Sequence, residues 1–336
     1  MAAKRFRRWG TLVACSLFAL VLSCPSPAMA GAKVQASLAS PNAPEQIHVR
    51  AGYLFVKKVA EKTNGGLTIQ ILHSGQLGGM KENFEAIMAG NLEMAQVNNA
   101  FLANLYSNTM LFDLPFIFRD NDHMRRVVRG PIGQQVYADF EKKTGIRIIM
   151  LGLADGPRSV FNRKRPVRTP EDLKGIKLRV MQSPLMMDTF QALGAIPTPM
   201  PFPDLYMAAK QGVIDGAETP PFGVAELKAW EISKYYSLTK HFAMPSAFAM
   251  GVKWFEALPQ DYQKAIMEAA EEARAWHDTQ YDAENNEALV EMKKQGMEVN
   301  DVTDIQMFRN AVKPVYDKYA SQVGGWKMIQ SVLDTK

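Results

Sequence analysis

The stretch TPEDLKGIKLRVMQSPLMMDTFQALGAIPTPMPFPDLYMAAKQGVIDGAETPP, residues 169–221, holds two short apolar runs separated by a proline-rich turn and a helix. The runs, IKLRV and VIDGAE, have the length and composition of strands, and the second stops at small and polar residues. Strand, helix and strand in succession are the repeating unit of α/β proteins with parallel sheets. The stretch therefore predicts α/β architecture.

A basic residue, Arg179, lies in the middle of the first apolar run. Burying a guanidinium without an anionic partner is costly, and no acidic residue stands close to Arg179 in the sequence. Arginine also presents a planar fork of donors that matches a carboxylate in two parallel hydrogen bonds. We predict that Arg179 binds the carboxylate of a small ligand. The structural alternative is a solvent-facing side chain, or one paired with an acid distant in sequence.

Strand and helix patterns alternate along most of the chain. Strands are predicted at 34–38, 67–72, 92–97, 147–153 and 242–252, and helices at 46–62, 81–89, 122–144 and 261–296. Such alternation favours mainly parallel sheets. No flexible linker is apparent, so we expect the chain to cross between domains more than once.

The length of about 306 residues after the first 30 indicates two domains. We predict a bilobed fold of two mixed α/β domains joined by crossing strands and a long helix. Residues 31–156 with 245–284 form the first domain, and 157–244 with 285–336 form the second. Ligands bind outside the carboxyl ends of strands in open α/β sheets, and the predicted ends carry polar residues. Facing strand ends would enclose a cleft that closes by hinge motion.

The N-terminus has the three parts of a secretory signal peptide. A basic segment at 4–8 precedes an apolar run at 12–24, and Ala-Met-Ala at 28–30 fits a cleavage site. The apolar run is shorter than the roughly 20 residues that a membrane-spanning helix needs. We predict secretion with cleavage after Ala30. The alternative is a lipoprotein anchored through Cys24.

Charge and cysteine content restrict the function. The whole chain has a net charge of +5, but residues 1–30 hold four basic residues and no acid, which leaves 35 basic against 34 acidic residues. This balance indicates no nucleic-acid-binding surface. Both cysteines, Cys15 and Cys24, lie in the predicted signal peptide. The cleaved chain is therefore expected to have no disulfide and no cysteine-based metal site.

Motifs of common enzyme classes are missing from the sequence. The five histidines lack the HExxH spacing, and there is no GxSxG elbow, phosphate loop or GxGxxG fingerprint. With no evident pair of nucleophile and base, we predict no catalytic residue and no cofactor. A periplasmic enzyme is the less favoured alternative class.

Segments spread over the chain resemble the solute-binding component of tripartite ATP-independent periplasmic (TRAP) transporters, of the C4-dicarboxylate- and sialic-acid-binding type. They are GQLGG at 75–79, EMAQVNNAFL at 93–102, DLPFIF at 113–118, RSVFNRKRPVRTPEDLKGIKLRV at 158–180, LGAIPTPMPFPDLYMAAKQGVIDGAETP at 193–220 and EISKYYSLTKH at 231–241. The resemblance implies a bilobed periplasmic-binding-protein fold that captures a small organic acid and delivers it to integral-membrane TRAP permease subunits. A ligand-sensing protein that docks on a sensor kinase shares the same cleft and stays an alternative.

The resemblance also implies which basic and polar residues contact the ligand. The signature arginine of the family falls on Arg179, where a two-pronged salt bridge with the ligand carboxylate is expected. A second basic residue falls on Arg158. The polar position that is often Asn in the family is Thr219 here, next to Glu218, so a hydroxyl replaces the amide.

Four further positions complete the expected site. Phe202 lies where the family places an aromatic ring against the ligand, and Asn98 stands where sialic-acid binders have an acid. That difference argues against sialic acid as the ligand. Gln182 and His241 match positions near the pocket. A sugar acid, a small dicarboxylate and a keto or aromatic acid all remain open as ligands.

Overall fold

A mixed sheet of nine strands runs through the computed structural model, which describes residues 33–336. The strands are β1 Val34–Ala39, β2 Leu67–Leu72, β3 Met94–Asn98, β4 Ile146–Asn162, β5 Lys177–Val180, β6 Ile196–Pro199, β7 Gly216–Thr219, β8 Tyr235–Gly251 and β9 Glu298–Asp301. Their order is β2-β1-β3-β8-β4-β7-β5-β6, and β9 pairs with β8. The predicted signal peptide and both cysteines lie outside the described residues.

Helices cover the sheet along the described chain. They are α1 Ile47–Lys62, α2 Met80–Met88, α3 Asn99–Leu102, α4 Asn121–Arg129, α5 Pro131–Thr144, α6 Pro184–Ala192, α7 Leu205–Lys210, α8 Pro221–Glu226, α9 Val252–Glu256, α10 Gln260–Lys294, α11 Ile305–Ala311, α12 Lys313–Tyr319 and α13 Gly325–Asp334. Short 3-10 helices lie at Ser107–Asp113, Pro170–Leu173, Ala229–Glu231 and Ala320–Val323. None of the helices within residues 33–336 is long and apolar enough to span a membrane.

Two long antiparallel strands, β4 and β8, join the two halves of the sheet. Each has 17 residues. The carboxyl-terminal part of β8 pairs with β3, whereas its amino-terminal part pairs with β9, and the carboxyl-terminal part of β4 pairs with β7. The helix α10, 35 residues long, packs on both α1 and α8. The predicted α/β fold with crossing strands and a long helix is confirmed, and its two lobes share this central strand pair.

The sheet departs from the parallel arrangement that the alternating pattern favoured. The pairs β1–β2, β1–β3, β5–β6, β5–β7 and β8–β9 are parallel, but β3–β8, β4–β8 and β4–β7 are antiparallel. The sheet is mixed because β4 and β8 run in opposite directions through its centre. Mixed sheets of this kind are common in large α/β folds.

Three predicted elements have clearly different bounds in the structure. The strand predicted at 242–252 is β8, which begins at Tyr235 and ends at Gly251. The strand at 147–153 continues as far as Asn162, because pairing with β8 resumes beyond a register shift between Asp155 and Arg158. The helix at 122–144 is two helices, separated at Gly130 and Pro131. Proline has no backbone N–H to donate and suits the first position of a new helix.

Local side-chain contacts explain where two elements begin. The Gln46 side chain accepts hydrogen bonds from the backbone N–H groups of His48 and Val49 and so caps α1. Thr169 and Asp172 form a reciprocal capping box at the 3-10 helix Pro170–Leu173, just before β5. These caps fix the start of α1 and the approach of the chain to β5, both of which border the cleft described below.

Candidate ligand cleft

A narrow cavity lies beside β4, at the carboxyl ends of β3, β5 and β7. Of the eight residues predicted from the sequence, those that line it are Asn98, Arg158, Arg179, Gln182, Phe202 and Thr219. About 40 Å³ of the cavity is open to the centres of water molecules. This is room for a few water molecules. We expect the walls of the cavity to move apart when a ligand enters.

Arg179 is a buried cation on the cavity wall. Its side chain on β5 is 2% exposed, and its Nε donates to the backbone oxygen of Met200 at 2.9 Å. The guanidinium lies 5.8 Å from the centre of the Phe202 ring. No carboxylate within residues 33–336 forms a salt bridge with Arg179, and burial lowers its pKa to about 10. The group is still charged at neutral pH and has no anionic partner among these residues.

Arg158 lines the same cavity but is paired with acids of the protein. Its Nη1 donates to Asp155 Oδ2 at 2.6 Å, and its Nε and Nη2 donate to the two carboxylate oxygens of Glu218 at 2.6 and 2.8 Å. All three side chains are buried. Burial alone would lower the pKa of Arg158, but the two carboxylates raise it. The positive charge of Arg158 is thus already compensated.

Glu218 and His241 lie behind Arg158 and do not line the cavity. The Nε2 of His241 is 3.3 Å from Glu218 Oε2, and its Nδ1 is 2.8 Å from the Thr239 hydroxyl. Burial lowers the pKa of His241, so the ring is neutral at pH 7 and donates its Nε2–H to Glu218. Burial alone would raise the pKa of Glu218, but Arg158 and His241 bring it down to about 2. Both residues hold Arg158 in place.

Asn98 is anchored at the end of β3. Its Nδ2 donates to Asp155 Oδ2 at 2.6 Å, and its Oδ1 accepts from the Ser246 hydroxyl at 3.0 Å. Asp155 therefore receives donors from both Asn98 and Arg158. This arrangement gives the cavity a rigid polar wall in which an acid, an amide and a guanidinium are oriented by one another.

The opposite side of the cleft mouth is formed by close contacts between separate segments. A Cβ added at Gly75 would lie 3.0 Å from Pro203 Cγ, and one added at Gly79 would lie 3.2 Å from Pro201 Cβ. The segment GQLGG at 75–79 thus lies against the proline-rich turn at 197–203. Glycine allows this close approach because it has no side chain.

A second contact across the mouth joins Glu226 at the end of α8 to the segment before α1. The carboxylate of Glu226 accepts from the backbone N–H of Ala43 at 2.9 Å and from Asn42 Nδ2 at 3.2 Å. Glu226 lines the cavity. Burial raises its pKa to about 7, with Asp155 and Glu45 adding to the effect.

Sequence reasoning did not assign the other lining residues to the site, which are Pro41, Asn42, Gln46, His48, Met80, Gln96, Phe101, Asp155, Met181, Pro201, Phe222, Gly223 and Glu226. Asp155 stands among the polar residues near a predicted strand end, which was the available signal for it. The residues before α1 and on α8 reach the cavity through packing between segments far apart in sequence. Within residues 33–336, no group of three His, Cys, Asp or Glu side chains is placed to hold a metal ion.

Comparisons with known proteins agree on one family. The bacterial extracellular solute-binding protein family 7 (DctP) matches residues 38–322. The 2,3-diketo-L-gulonate-binding periplasmic protein of Escherichia coli strain K12 is 31% identical over 265 residues, which are 78% of this chain and 80% of that protein.

Two solved structures have the same fold. A TRAP periplasmic solute-binding protein from Roseobacter denitrificans with bound β-D-glucuronate has a TM-score of 0.86 and 29% identity, and the match covers 90% of this chain and 100% of that one. A TRAP periplasmic solute-binding protein from Polaromonas sp. JS666 bound to D-erythronate has a TM-score of 0.86 and 28% identity, with 90% and 99% covered.

Proposed function

Because the chain belongs to the bacterial extracellular solute-binding protein family 7, we propose that its cleft captures a small organic acid through Arg179. The protein works in the periplasm as the solute-binding component of a TRAP transporter, and it delivers its ligand to the membrane permease subunits. It is a transport protein and not an enzyme. The ion gradient that drives transport acts at the permease, so the binding protein itself needs no nucleotide site.

The state of Arg179 carries this proposal. A guanidinium that is buried on a cavity wall, without a carboxylate of its own, gains most from an anion that enters the cavity. Hydrogen bonds to charged groups contribute about 1.5–3 kcal/mol each, and a micromolar ligand needs about 8 kcal/mol in total. A bidentate contact with Arg179 would supply a large share of that binding energy.

The neighbouring residues support a subordinate role for Arg158. Its donors are directed at Asp155 and Glu218, so we expect it to orient polar groups and to contact a ligand oxygen at most at its edge. Phe202 offers an aromatic face beside Arg179. Gln182 and Thr219 line the cavity with polar groups, and we propose that they and Asn98 choose among ligands with different hydroxyl patterns.

We propose a sugar acid as the ligand class. The related proteins named above bind 2,3-diketo-L-gulonate, β-D-glucuronate and D-erythronate, each of which combines a carboxylate with several oxygen substituents. The cavity has one cation without an acidic partner among the described residues, beside amide, hydroxyl and carboxyl groups that can bind hydroxyls. A small dicarboxylate fits this balance of groups less well, because a second charge would face acids.

Substitution of Arg179 tests the proposal. D-glucuronate, D-galacturonate, D-gluconate and D-erythronate are titrated into the protein by calorimetry, after a thermal-shift screen that also includes succinate and L-malate. Arg179→Ala should weaken binding of the best acid at least about 100-fold, since it removes two charge-assisted hydrogen bonds. The exposed Arg168 provides the control Arg168→Ala, which should bind like the wild type. Equal affinity of Arg179→Ala and the wild type would refute the proposed role of Arg179.

A further inference from the structure

Glu226 and the unpaired cation line the same cavity from different segments. Arg179, on β5, lies beside the Phe202 ring, whereas Glu226, at the end of α8, bonds to Asn42 and Ala43. A ligand that places its carboxylate on Arg179 therefore shares the cavity with a carboxyl group of the protein.

The hydrogen bonds of Glu226 hold its carboxylate in that position. One oxygen accepts from the backbone N–H of Ala43, and the other accepts from Asn42 Nδ2. A carboxylate has about four acceptor sites on its two oxygens, so further acceptor sites remain for donors from a ligand. A hydroxyl group can donate to such an oxygen, whereas a second carboxylate has no proton to donate.

The charge balance of the cavity also disfavours a ligand with a second carboxylate. Two guanidinium groups, Arg158 and Arg179, and two carboxyl groups, Asp155 and Glu226, line the cavity, and a third carboxyl group, Glu218, lies behind Arg158. Arg158 is occupied by Asp155 and Glu218, which leaves Arg179 for one ligand carboxylate. A second ligand carboxylate would meet Glu226 with no cation left to compensate it among the described residues, and like charges placed together in an interface cost several kcal/mol.

We propose that Glu226 is the specificity-determining residue that makes this site select singly charged, hydroxyl-bearing acids over dicarboxylates. The inference rests on the proposed function, because it assumes that a ligand carboxylate binds Arg179. Rejection works through an unfavourable contact built against the wrong ligand, a recognised route to specificity. The favourable half is the hydrogen bond from a ligand hydroxyl to Glu226.

Because Glu226 can be protonated, the preference for monoacids over diacids should depend on pH. Burial raises the pKa of Glu226 to about 7, so the repelling charge is largest above pH 7 and is lost as the pH falls through that value. The charged groups around its outer side are Glu45 and Arg50 near the start of α1, Lys228 after α8, and Glu284, Glu287 and Glu291 on α10. On the cavity side, Asp155 faces it and His48, whose pKa is lowered by burial, is neutral.

Matched ligands that differ by one carboxylate test the proposal. D-gluconate and D-glucuronate are each compared with D-glucarate, and D-galactonate and D-galacturonate with galactarate, by calorimetry at pH 8. The wild type should prefer the best monoacid over its matched diacid. Glu226→Gln keeps an oxygen that accepts from Ala43 and Asn42 and removes the charge. In this variant, the ratio of the affinity for the monoacid to that for its matched diacid should fall at least about tenfold.

A control variant and a pH series distinguish a change in the preference for monoacids from a general loss of affinity caused by poor closure of the cleft. The exposed Glu171, which lines neither the cavity nor the groove behind Glu226, provides Glu171→Gln, which changes the net charge equally and should keep the wild-type preference. A variant that merely closes poorly loses affinity for both acids and leaves their ratio unchanged. Between pH 8 and pH 6 the ratio should shrink in the wild type and stay flat in Glu226→Gln.

Three results would decide against the inference. A wild-type protein that binds the diacid more tightly than the monoacid overturns it, as does a ratio that Glu226→Gln leaves unchanged. Both of these outcomes leave the proposed function intact, because an acid still binds. If the wild type binds none of these acids, the proposed function fails together with the inference.

Discussion

At the scale of single residues, the two arginines of the cavity differ in whether a carboxylate of the protein compensates their charge. Arg158 is enclosed by Asp155 and Glu218, whereas Arg179 has a backbone oxygen and an aromatic ring as its neighbours. Both are almost fully buried. The difference in their partners, and not in their burial, is the reason that we propose a structural role for Arg158 and a ligand contact for Arg179.

This contrast predicts different effects on stability. Arg158→Met leaves two buried carboxylates without their cation, so the free energy of unfolding should fall by about 3–5 kcal/mol. Arg179→Met removes a buried cation that lacks a carboxylate partner, so the unliganded protein should lose little stability or gain some. Urea unfolding of both variants without ligand measures the two effects. Equal losses would contradict the assignment of separate roles.

A buried acid outside the cavity predicts how stability depends on pH. Asp113 is 1% exposed and accepts from Asn99 Nδ2 at 2.7 Å, and burial raises its pKa to about 8. A pKa raised above the unfolded value means that the stabilising contribution is present at low pH and is lost as the pH rises through about 8. The free energy of unfolding should therefore decrease between pH 6 and pH 8, by up to about 1.4 kcal/mol per pH unit.

Asp113→Asn provides the control for that trend. The asparagine side chain is neutral at every pH and keeps an oxygen that can accept from Asn99, so the decrease should become smaller. Glu226, with its pKa of about 7, contributes in the same direction and is left in place. Urea unfolding at several pH values in both proteins gives the slopes. Parallel slopes would show that Asp113 does not titrate in this range.

At the scale of elements, closure of the cleft depends on loops that meet across its mouth. The segment GQLGG lies against Pro201 and Pro203 on one side, and Glu226 of α8 bonds to Asn42 and Ala43 on the other. The strands β4 and β8 run through both lobes and carry the cavity between these contacts. Relative motion of the lobes must therefore open both contacts while the strand pair stays intact.

A side chain added at Gly79 should hold the cleft open. Its backbone is in an ordinary extended conformation, with φ of −80°, so the effect comes from the contact with Pro201 and Glu82 and not from strain. Gly79→Val should weaken ligand binding about tenfold or more, with unliganded stability nearly unchanged. Calorimetry measures the affinity. Adding Pro201→Gly in the same chain removes the Cβ and Cγ atoms that face Gly79, and affinity that does not recover in part would count against closure at this point.

At the scale of the whole molecule, ligand binding and closure are expected to be one event. The cavity is bordered by the contacts of Gly79 with Pro201 and of Glu226 with Asn42 and Ala43, so we expect an open form to receive the ligand and a closed form to hold it. Hinge closure around a ligand is a known mode of domain motion. We expect the opening and closing of the cleft to depend on the charge of the ligand, on the loops at the mouth and on the central strands.

Thermodynamic linkage predicts how much a bound ligand stabilises the folded protein. A ligand that binds only the folded protein should raise the free energy of unfolding by about 2.7 kcal/mol at 100 times its dissociation constant. Thermal unfolding with the best sugar acid should therefore show a clear increase in Tm. Small-angle scattering on the same samples should show a smaller radius of gyration with ligand. A higher Tm with no change in radius would mean that the unliganded protein is already closed.

The sequence by itself determined the α/β architecture and singled out Arg179, which we propose as the principal ligand contact. Strand and helix periods are local properties of the chain, so β1, β2 and α1 were predicted nearly at their observed bounds. Arg179 was noticeable because it lies inside an apolar strand. The interruption at Gly130 and the continuation of β4 past Asp155 were missed because they depend on neighbouring strands and on packing.

The tertiary structure alone decided which charges compensate one another. Arg158 and Glu218 are 60 residues apart in sequence, and Asn42 and Glu226 are 184 residues apart, yet each pair is in hydrogen-bond contact. Coulomb energy depends on distance in space and on burial, neither of which is readable from spacing along the chain. For that reason Arg179 could be named from sequence, but the pairing of Arg158 with Glu218 and the position of Glu226 on the cavity wall could not.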